Sequence, residues 1–356
     1  MSWVYSWSVI KRTGVVLLLA GIVVVVILAA LGMFSASSRS SVPITTHVRP
    51  TVPDVTVARP AFQACAHPPC FNVGNTCPFP IWIHAVNNPA SGSPVTLTPD
   101  LQELQPGEAL QLDVPADWPS GRVSAYYKDP TAFPQAFDKV EMTVTSNGRI
   151  NYDLTYVDYV ALPSSLWAGP GADCGTGPTY VECVAKVQDI LSGCPSGAGF
   201  SLLDEDNRRC LSAGLFCSDP ANANNPFCHL LDSTLAQCVA NVNNQYPNCN
   251  LGAGNTTANV YSCSGYFDGQ PSEGHTDGNK WCAALNRNML SAPDSTDANL
   301  FFQTAPYNQY AKWMSTTCPG TYNFAYADYP PGAQQSGDRD CATERLDILW
   351  CPGNAA

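Results

Sequence analysis

The sequence predicts a mainly β domain, stapled by disulfides and interrupted by a partly helical, cysteine-rich lobe, behind a single membrane-spanning helix. Three observations carry this expectation. All sixteen cysteines lie C-terminal to one apolar stretch, residues 14–34. Short runs of β-branched and aromatic residues, cut by Pro-Gly and Asn-Gly, fill residues 77–162. After Leu166, apolar residues recur at helical spacing between Cys-, Gly- and Asn-rich loops.

The apolar stretch holds 21 uncharged residues, long enough to cross a hydrocarbon core of roughly 30 Å as a helix. Val, Leu, Ile, Ala and Gly cover every side of it, with no polar face. Lys11 and Arg12 precede it, and Arg39 and Arg49 follow, so flanking charge is nearly balanced. The cysteines decide orientation, because they suit an oxidising compartment. Residues 1–13 are therefore expected in the cytoplasm and the C-terminal domain outside the cell or in a lumen. A signal peptide cleaved near Ser37 is the alternative, although its apolar core would be only about 7–15 residues long.

Residues 35–64 carry Pro43, Pro50, Pro53 and Pro60 among Ser, Thr and Val. This composition predicts an extended tether, at about 3 Å per residue up to roughly 90 Å long. Residues 1–64 hold five of the 17 Lys/Arg and one of the 29 Asp/Glu. The remainder therefore has 12 basic and 28 acidic residues, a net charge of −16. Such a field repels phosphate backbones, which excludes nucleic acid as a partner, and it tolerates neutral polymers.

Strands are predicted over 81–86, 95–97, 109–114, 122–127 and 140–144, with Asn147-Gly148 as a hairpin turn before Ile150. Tyr180, Val181, Val184, Val187 and Leu191 read as one helix, and Leu230, Leu231, Thr234, Leu235 and Cys238 as another. A further helical turn or two follows Tyr307, then strands over 322–326 and 346–350. The domain thus divides into a first β part (65–165), a lobe (166–318) and returning strands (319–356). Asn255-Thr256-Thr257 is a glycosylation acceptor suited to that compartment.

Several phrases together resemble thaumatin-like proteins. They are Asn75-Thr76-Cys77-Pro78-Phe79-Pro80-Ile81-Trp82, Tyr152-Asp153-Leu154-Thr155-Tyr156-Val157-Asp158 before Leu162-Pro163, and Cys194-Pro195. Near the end come Tyr310-Ala311-Lys312-Trp313-Met314, Cys318-Pro319-Gly320-Thr321-Tyr322-Asn323-Phe324-Ala325-Tyr326-Ala327-Asp328, Cys341 and Ile348-Leu349-Trp350-Cys351-Pro352. The resemblance spans residues 75–352 with gaps. It implies a flattened β-sandwich with a disulfide-rich lobe on one side. It also implies the pairs Cys77–Cys351, Cys174–Cys341, Cys183–Cys318 and Cys194–Cys210. Cys65, Cys70, Cys217, Cys228, Cys238, Cys249, Cys263 and Cys282 remain unassigned. The insertion between Cys210 and Tyr307 is longer than in the family, and the paired loops expected after Lys128 are missing.

The resemblance further implies an acidic cleft between sandwich and lobe, lined by an arginine, a glutamate and three aspartates. Glu141 matches the glutamate, and Asp153 and Asp158 match two aspartates. Their odd separation places them on opposite faces of one regular strand, so sharing a cleft requires a bend between them. The arginine position falls on Tyr126. The third aspartate falls on Ala327, with Asp328 adjacent. Carboxylates on such walls suit sugar hydroxyls. A pair such as Glu141 and Asp153 also suits glycoside hydrolysis, at about 5–5.5 Å apart for retention or 6.5–9.5 Å for inversion, with one raised pKa.

The expected function is a membrane-tethered module binding β-1,3-glucan or a related cell-wall polysaccharide through the acidic cleft. One alternative is a surface structural protein with a degenerate cleft, meeting a protein partner through the 210–306 insertion. The other is a weak endo-β-1,3-glucanase using Glu141 and Asp153, against which the missing arginine and the shifted aspartate argue. No cofactor or metal is expected. Cys65 and Cys70 around His67 favour a disulfide over a metal site, Asp204-Glu205-Asp206-Asn207 lacks the spacing of a calcium loop, and His275 has no nucleophile beside it in sequence.

Overall fold

Alternation of period two, the strand signature, runs unbroken through Phe137–Thr145, where odd-numbered residues lean outward and even-numbered ones are buried. The computed structural model describes residues 55–356 except 90–91, 241–250, 252–253, 270–276 and 332–336. The chain separates into two units, Met1–Arg49 and Pro50–Ala356. The expected cytoplasmic tail 1–13, the membrane helix 14–34 and most of the tether lie outside the described residues. Among the described residues no helix is long and apolar enough to cross a membrane.

In chain order the strands are β1 (Cys70–Asn75), β2 (Ile81–Asn87), β3 (Gln102–Leu104), β4 (Ala109–Asp113), β5 (Trp118–Tyr126), β6 (Phe137–Thr145), β7 (Arg149–Leu154) and β8 (Tyr159–Val160). Then follow β9 (Ser164–Ala168), β10 (Tyr180–Glu182), β11 (Ser196–Gly197), β12 (Phe200–Ser201), β13 (Cys210–Leu211), β14 (Arg339–Ala342) and β15 (Arg345–Trp350). One sheet has the order β14-β7-β6-β5-β2-β3, a second β10-β9-β15-β1-β4. The first is antiparallel throughout. In the second, β1 and β15 pair in parallel. That pairing brings the ends of the domain together, and Cys77–Cys351 bonds them just beyond it. The Thr76 hydroxyl, 2.7 Å from the Trp350 carbonyl and 2.8 Å from that of Cys351, adds a polar link.

The two sheets share one core. Phe71 of β1 meets Trp118 of β5 edge-on, with ring centres 5.7 Å apart. Gly121 is required beside this contact, since a Cβ there would lie 1.9 Å from the Trp118 ring. The chain joins the domain before Cys65. Val57 pairs with Ala355, Arg59 stacks over Trp167 at 4.6 Å, and Pro60 and Phe62 fill the space that Gly74 leaves free. These contacts explain why every residue of β1 is buried.

The structure corrects several expected elements. The first strand is Cys70–Asn75, ahead of the expected first strand over 81–86. Tyr180–Glu182 is an edge strand on β9 and not the start of a helix, which begins at Val187. There the Trp167 indole N–H donates to Glu182 at 2.7 Å, and sheet pairing overrides the helical spacing. Residues 95–97 and 322–326 form only single bridges, Val86–Thr96 and Thr155–Tyr322.

Helices Val187–Gly193, Ala213–Ser218, Asp232–Ala240, Thr257–Ser262, Gly278–Arg287 and Gln309–Thr317 build the lobe. Ser212 and Asn308 cap two of them, and Thr256 and Asn259 form a reciprocal capping box on a third. Cys174–Cys341, Cys183–Cys318 and Cys194–Cys210 are bonded, as are Cys65–Cys70, Cys217–Cys228 and Cys263–Cys282. Cys238 is also disulfide-bonded. Asn255 is half-buried beside the capping box.

Candidate active site

The hairpin β6–β7 sets the site. Gly148 takes a left-handed conformation (φ +78°), and its N–H donates to the Thr145 carbonyl at 3.0 Å. Thr145 then pairs with Arg149, leaving a three-residue loop, and Glu141 stands directly opposite Asp153. Loop length matters here. A two-residue loop would slip the register by one and turn the two carboxylates to opposite faces.

Residues directly opposite across antiparallel strands project to the same side, with Cβ atoms about 4.5–5.5 Å apart. The pairs Val86–Arg122, Arg122–Glu141 and Glu141–Asp153 therefore form one row across β2, β5, β6 and β7 on the outward face of the six-stranded sheet. The next row is His84, Ser124 and Lys139, and the one after it Trp82, Tyr126 and Phe137.

Asp153 is the most perturbed member. Its Oδ1 is shielded from solvent and has no hydrogen-bond partner. Burial raises its pKa well above the usual carboxylate value, and the charges of Glu141, Asp338 and Asp328 add to this against Lys139. Glu141 is more open, with 36% of its side chain exposed. The Lys139 ammonium lies 3.6 Å from Glu141 and 3.8 Å from Asp158. Asp158 sits in an exposed bend after β7. The chain thus turns between Asp153 and Asp158, and one lysine gathers Glu141 and Asp158.

Sequence reasoning missed three contributors. Arg122, and not Tyr126, stands across from Glu141. Tyr126 shares the face but lies four residues along, about 13 Å away at the usual strand rise, packed on Phe137 at 5.0 Å. Period-two alternation from Arg122 would have found this. Lys139 was legible by the same alternation. Asp338 was not, because it comes from far along the chain. It accepts from the Asn151 amide at 2.7 Å, and burial raises its pKa.

Asp328 belongs to a segment fixed from within the lobe. Arg287, only 1% exposed, donates to the carbonyls on either side of Asp328, those of Ala327 (2.5 Å) and Tyr329. Its guanidinium stacks on Phe301 at 4.3 Å and on Phe324 at 5.2 Å. Burial pulls it down to about 9, opposed by the charge of Asp328. The helix Gly278–Arg287 of the 210–306 insertion thereby frames one acidic residue of the site.

Other candidate features are occupied elsewhere. The Cys65 and Cys70 sulfurs are bonded to each other, which leaves neither for a metal. Asp204 accepts from Arg209 at 2.9 Å and Asp206 from Lys128, which closes that loop on protein cations. His275 lies outside the described residues.

Chemically, a half-buried aspartate with a raised carboxyl pKa beside a more open glutamate is the combination that acid–base chemistry requires. Solved structures agree in architecture. A β-1,3-glucanase domain (GH64) from Clostridium beijerinckii matches with a TM-score of 0.61 at 17% identity, over 82% of this chain and 100% of that one. The fold is shared with GH64 β-1,3-glucanases. A laminaripentaose-producing β-1,3-glucanase in complex with laminaritetraose matches at 0.58 and 15% identity, covering 80% of this chain and 99% of that one. One from Paenibacillus barengoltzii, complexed with laminarihexaose, matches at 0.57 and 16% identity, over 89% and 79%. The thaumatin-like xylanase inhibitor TLXI matches over only 32% of this chain and 80% of that one, at 16% identity and a TM-score of 0.22, too low to carry an argument. No family model matches the chain, and no curated protein matches its sequence.

Proposed function

We propose that the domain takes β-1,3-glucan along the outward face of the six-stranded sheet and hydrolyses it with the Glu141–Asp153 pair. The observation that carries this reading is Asp153. Its shielded carboxyl, with a raised pKa, directly faces Glu141. Two like charges this close do not both ionise readily, so the proton resides on Asp153. Asp153 then donates it to the departing glycosidic oxygen. Glu141, on the open side, either takes a proton from the water that attacks the anomeric carbon or bonds to that carbon itself, in which case water then cleaves the glycosyl bond and returns the proton to Asp153. Lys139 holds Glu141 and Asp158 on one side of the pair, and Arg122 and the aromatic row extend the face for further sugar units. Neutral sugars suit this acidic surface.

Reducing-sugar release from soluble β-1,3-glucan tests the reading. The full chain should release sugar, and Asp153→Asn should lower the rate by about 10²–10⁴-fold, the usual contribution of a positioned acid. Release no higher than from heat-killed protein would remove hydrolysis from the account. Retention on insoluble glucan that is lost in a Glu141→Ala/Asp153→Ala variant would leave binding alone.

The reading includes a location. Residues 14–34 anchor the chain and place the disulfide-rich domain on the outer or luminal face. Protease added to intact cells should then degrade the domain if it is outside, and a luminal domain should stay protected even after the plasma membrane alone is opened. Degradation that begins only once the plasma membrane is opened would place the domain in the cytosol and contradict the reading.

A further inference from the structure

The helix Gln309–Thr317 buries Tyr310, Ala311 and Met314 against the domain. The Tyr310 hydroxyl donates to the Tyr156 carbonyl at 2.7 Å. Its other face is open, and a cavity lies on each flank. One, of about 390 Å³, is walled by Tyr307, Trp313, Leu230 and Pro195. The other, of about 420 Å³, is walled by Phe301, Phe302, Pro319 and Asn323. Lys312 and Thr316 line both. Neither cavity shares a residue with the Glu141–Asp153 row, and no Asp or Glu lines either one.

Two details point to a ligand. The Asn323 side chain is 2% exposed, yet its Oδ1 has no hydrogen-bond partner. A buried amide oxygen left unpaired costs about 1–3 kcal/mol, and a ligand hydroxyl that reaches it through a small shift of the cavity wall would satisfy it. Lys312 donates to the Phe302 carbonyl and the Tyr307 hydroxyl, each at 3.2 Å. Its ammonium has three donors in all, so one remains for an acceptor. Trp313 is half-buried on this face. Gly193 lets it lie there, because a Cβ at that position would come 3.0 Å from the indole nitrogen.

We propose that the paired cavities astride Lys312 form a second, non-catalytic sugar site, which holds a short run of neutral β-glucan. Aromatic walls offer flat apolar surface to the C–H faces of pyranose rings. Asn323, Lys312, Gln309 and Thr316 supply the hydrogen bonds that hydroxyls need, and cavities of this size fall in the range of small-ligand pockets. With no carboxylate at hand the site binds and does not cleave. The net charge of the domain disfavours polyanions, which leaves neutral sugars as the ligand. The choice of glucan among them rests on the function proposed above, whereas the site itself does not.

Calorimetry with laminarihexaose on the full-length Glu141→Gln chain in detergent micelles tests this. Two binding events are expected. Thr316→Arg, which places a large side chain at an exposed position lining both cavities, should abolish one event and leave the other. Lys312→Met and Asn323→Leu should each weaken that same event at least tenfold. Tyr126→Ala/Asp153→Ala should affect only the remaining event, so the two sites fail independently. A single event unchanged by Thr316→Arg, with circular dichroism matching the parent, overturns the proposal. So does a Thr316→Arg-sensitive event that galacturonate oligomers fill more tightly than laminarihexaose.

Discussion

Replacing Asp138 by Asn tests the strand that presents Glu141 and Lys139. Asp138 lies on the core side of β6 and is 3% exposed. One of its oxygens accepts from Ala161 N at 2.7 Å and from Leu162 N, tying β6 to the segment that enters β9. Burial pushes its pKa from 3.8 to about 7, against those two hydrogen bonds and the charges of Arg209 and Lys139. Below about pH 4 the carboxyl is protonated in both folded and unfolded chains. Between about pH 4 and 7 the unfolded chain releases the proton and the folded one keeps it. The stability that this group contributes at low pH is therefore lost as pH rises through that window. At about 1.36 kcal/mol per pH unit, the loss amounts to about 4 kcal/mol. An asparagine at 138 can accept the same two N–H groups and has no proton to release. Urea denaturation at intervals from pH 4 to 8 should show the two proteins nearly equal at pH 4. The Asn variant should gain up to about 4 kcal/mol by pH 8. A stability difference that stays flat across this range, or an Asn variant less stable at pH 8, refutes the view that burial dominates at Asp138.

Two further changes probe the frame. Changing Cys77 and Cys351 to Ser frees a loop of about 107 residues, because Cys174–Cys341 still bridges the rest. The chain-entropy relation puts the loss at about 4.8 kcal/mol. The urea midpoint should fall accordingly, and an unchanged midpoint would show that β1–β15 pairing alone closes the domain. At Gly278 an added Cβ would lie 2.1 Å from the Tyr266 carbonyl oxygen and 2.8 Å from Gly269 N. Both are backbone atoms that cannot swing aside, so Gly278→Ala should cost about 1–3 kcal/mol. It should also slow glucan hydrolysis, through the helix whose last residue, Arg287, frames Asp328. Wild-type stability in the Ala variant would contradict that packing.

Local chemistry made much of this readable in advance. Alternation in 137–145 and the Asn147-Gly148 turn showed the hairpin that carries the acidic pair. They did not show whether two or three residues close it, and that one-residue difference decides whether Glu141 and Asp153 meet. Contacts between distant parts of the chain were hidden. Val57 on Ala355, Asp338 on Asn151 and Arg287 under Asp328 join residues whose local patterns say nothing of each other. Tyr180–Glu182 read as helix because its spacing fits one, yet the free edge of β9 claimed it. Residues 55–64 read as tether because their composition cannot build a core alone, and they need not, since they cover one already made.

The most direct test is the structure of the Glu141→Gln chain with laminarihexaose bound. A glycosidic oxygen is expected within about 3.2 Å of the Asp153 carboxyl, with residue 141 beneath the same sugar and the chain of sugars running on past Arg122. A hexaose bound on this face with no linkage near Asp153, or bound only elsewhere, would contradict it.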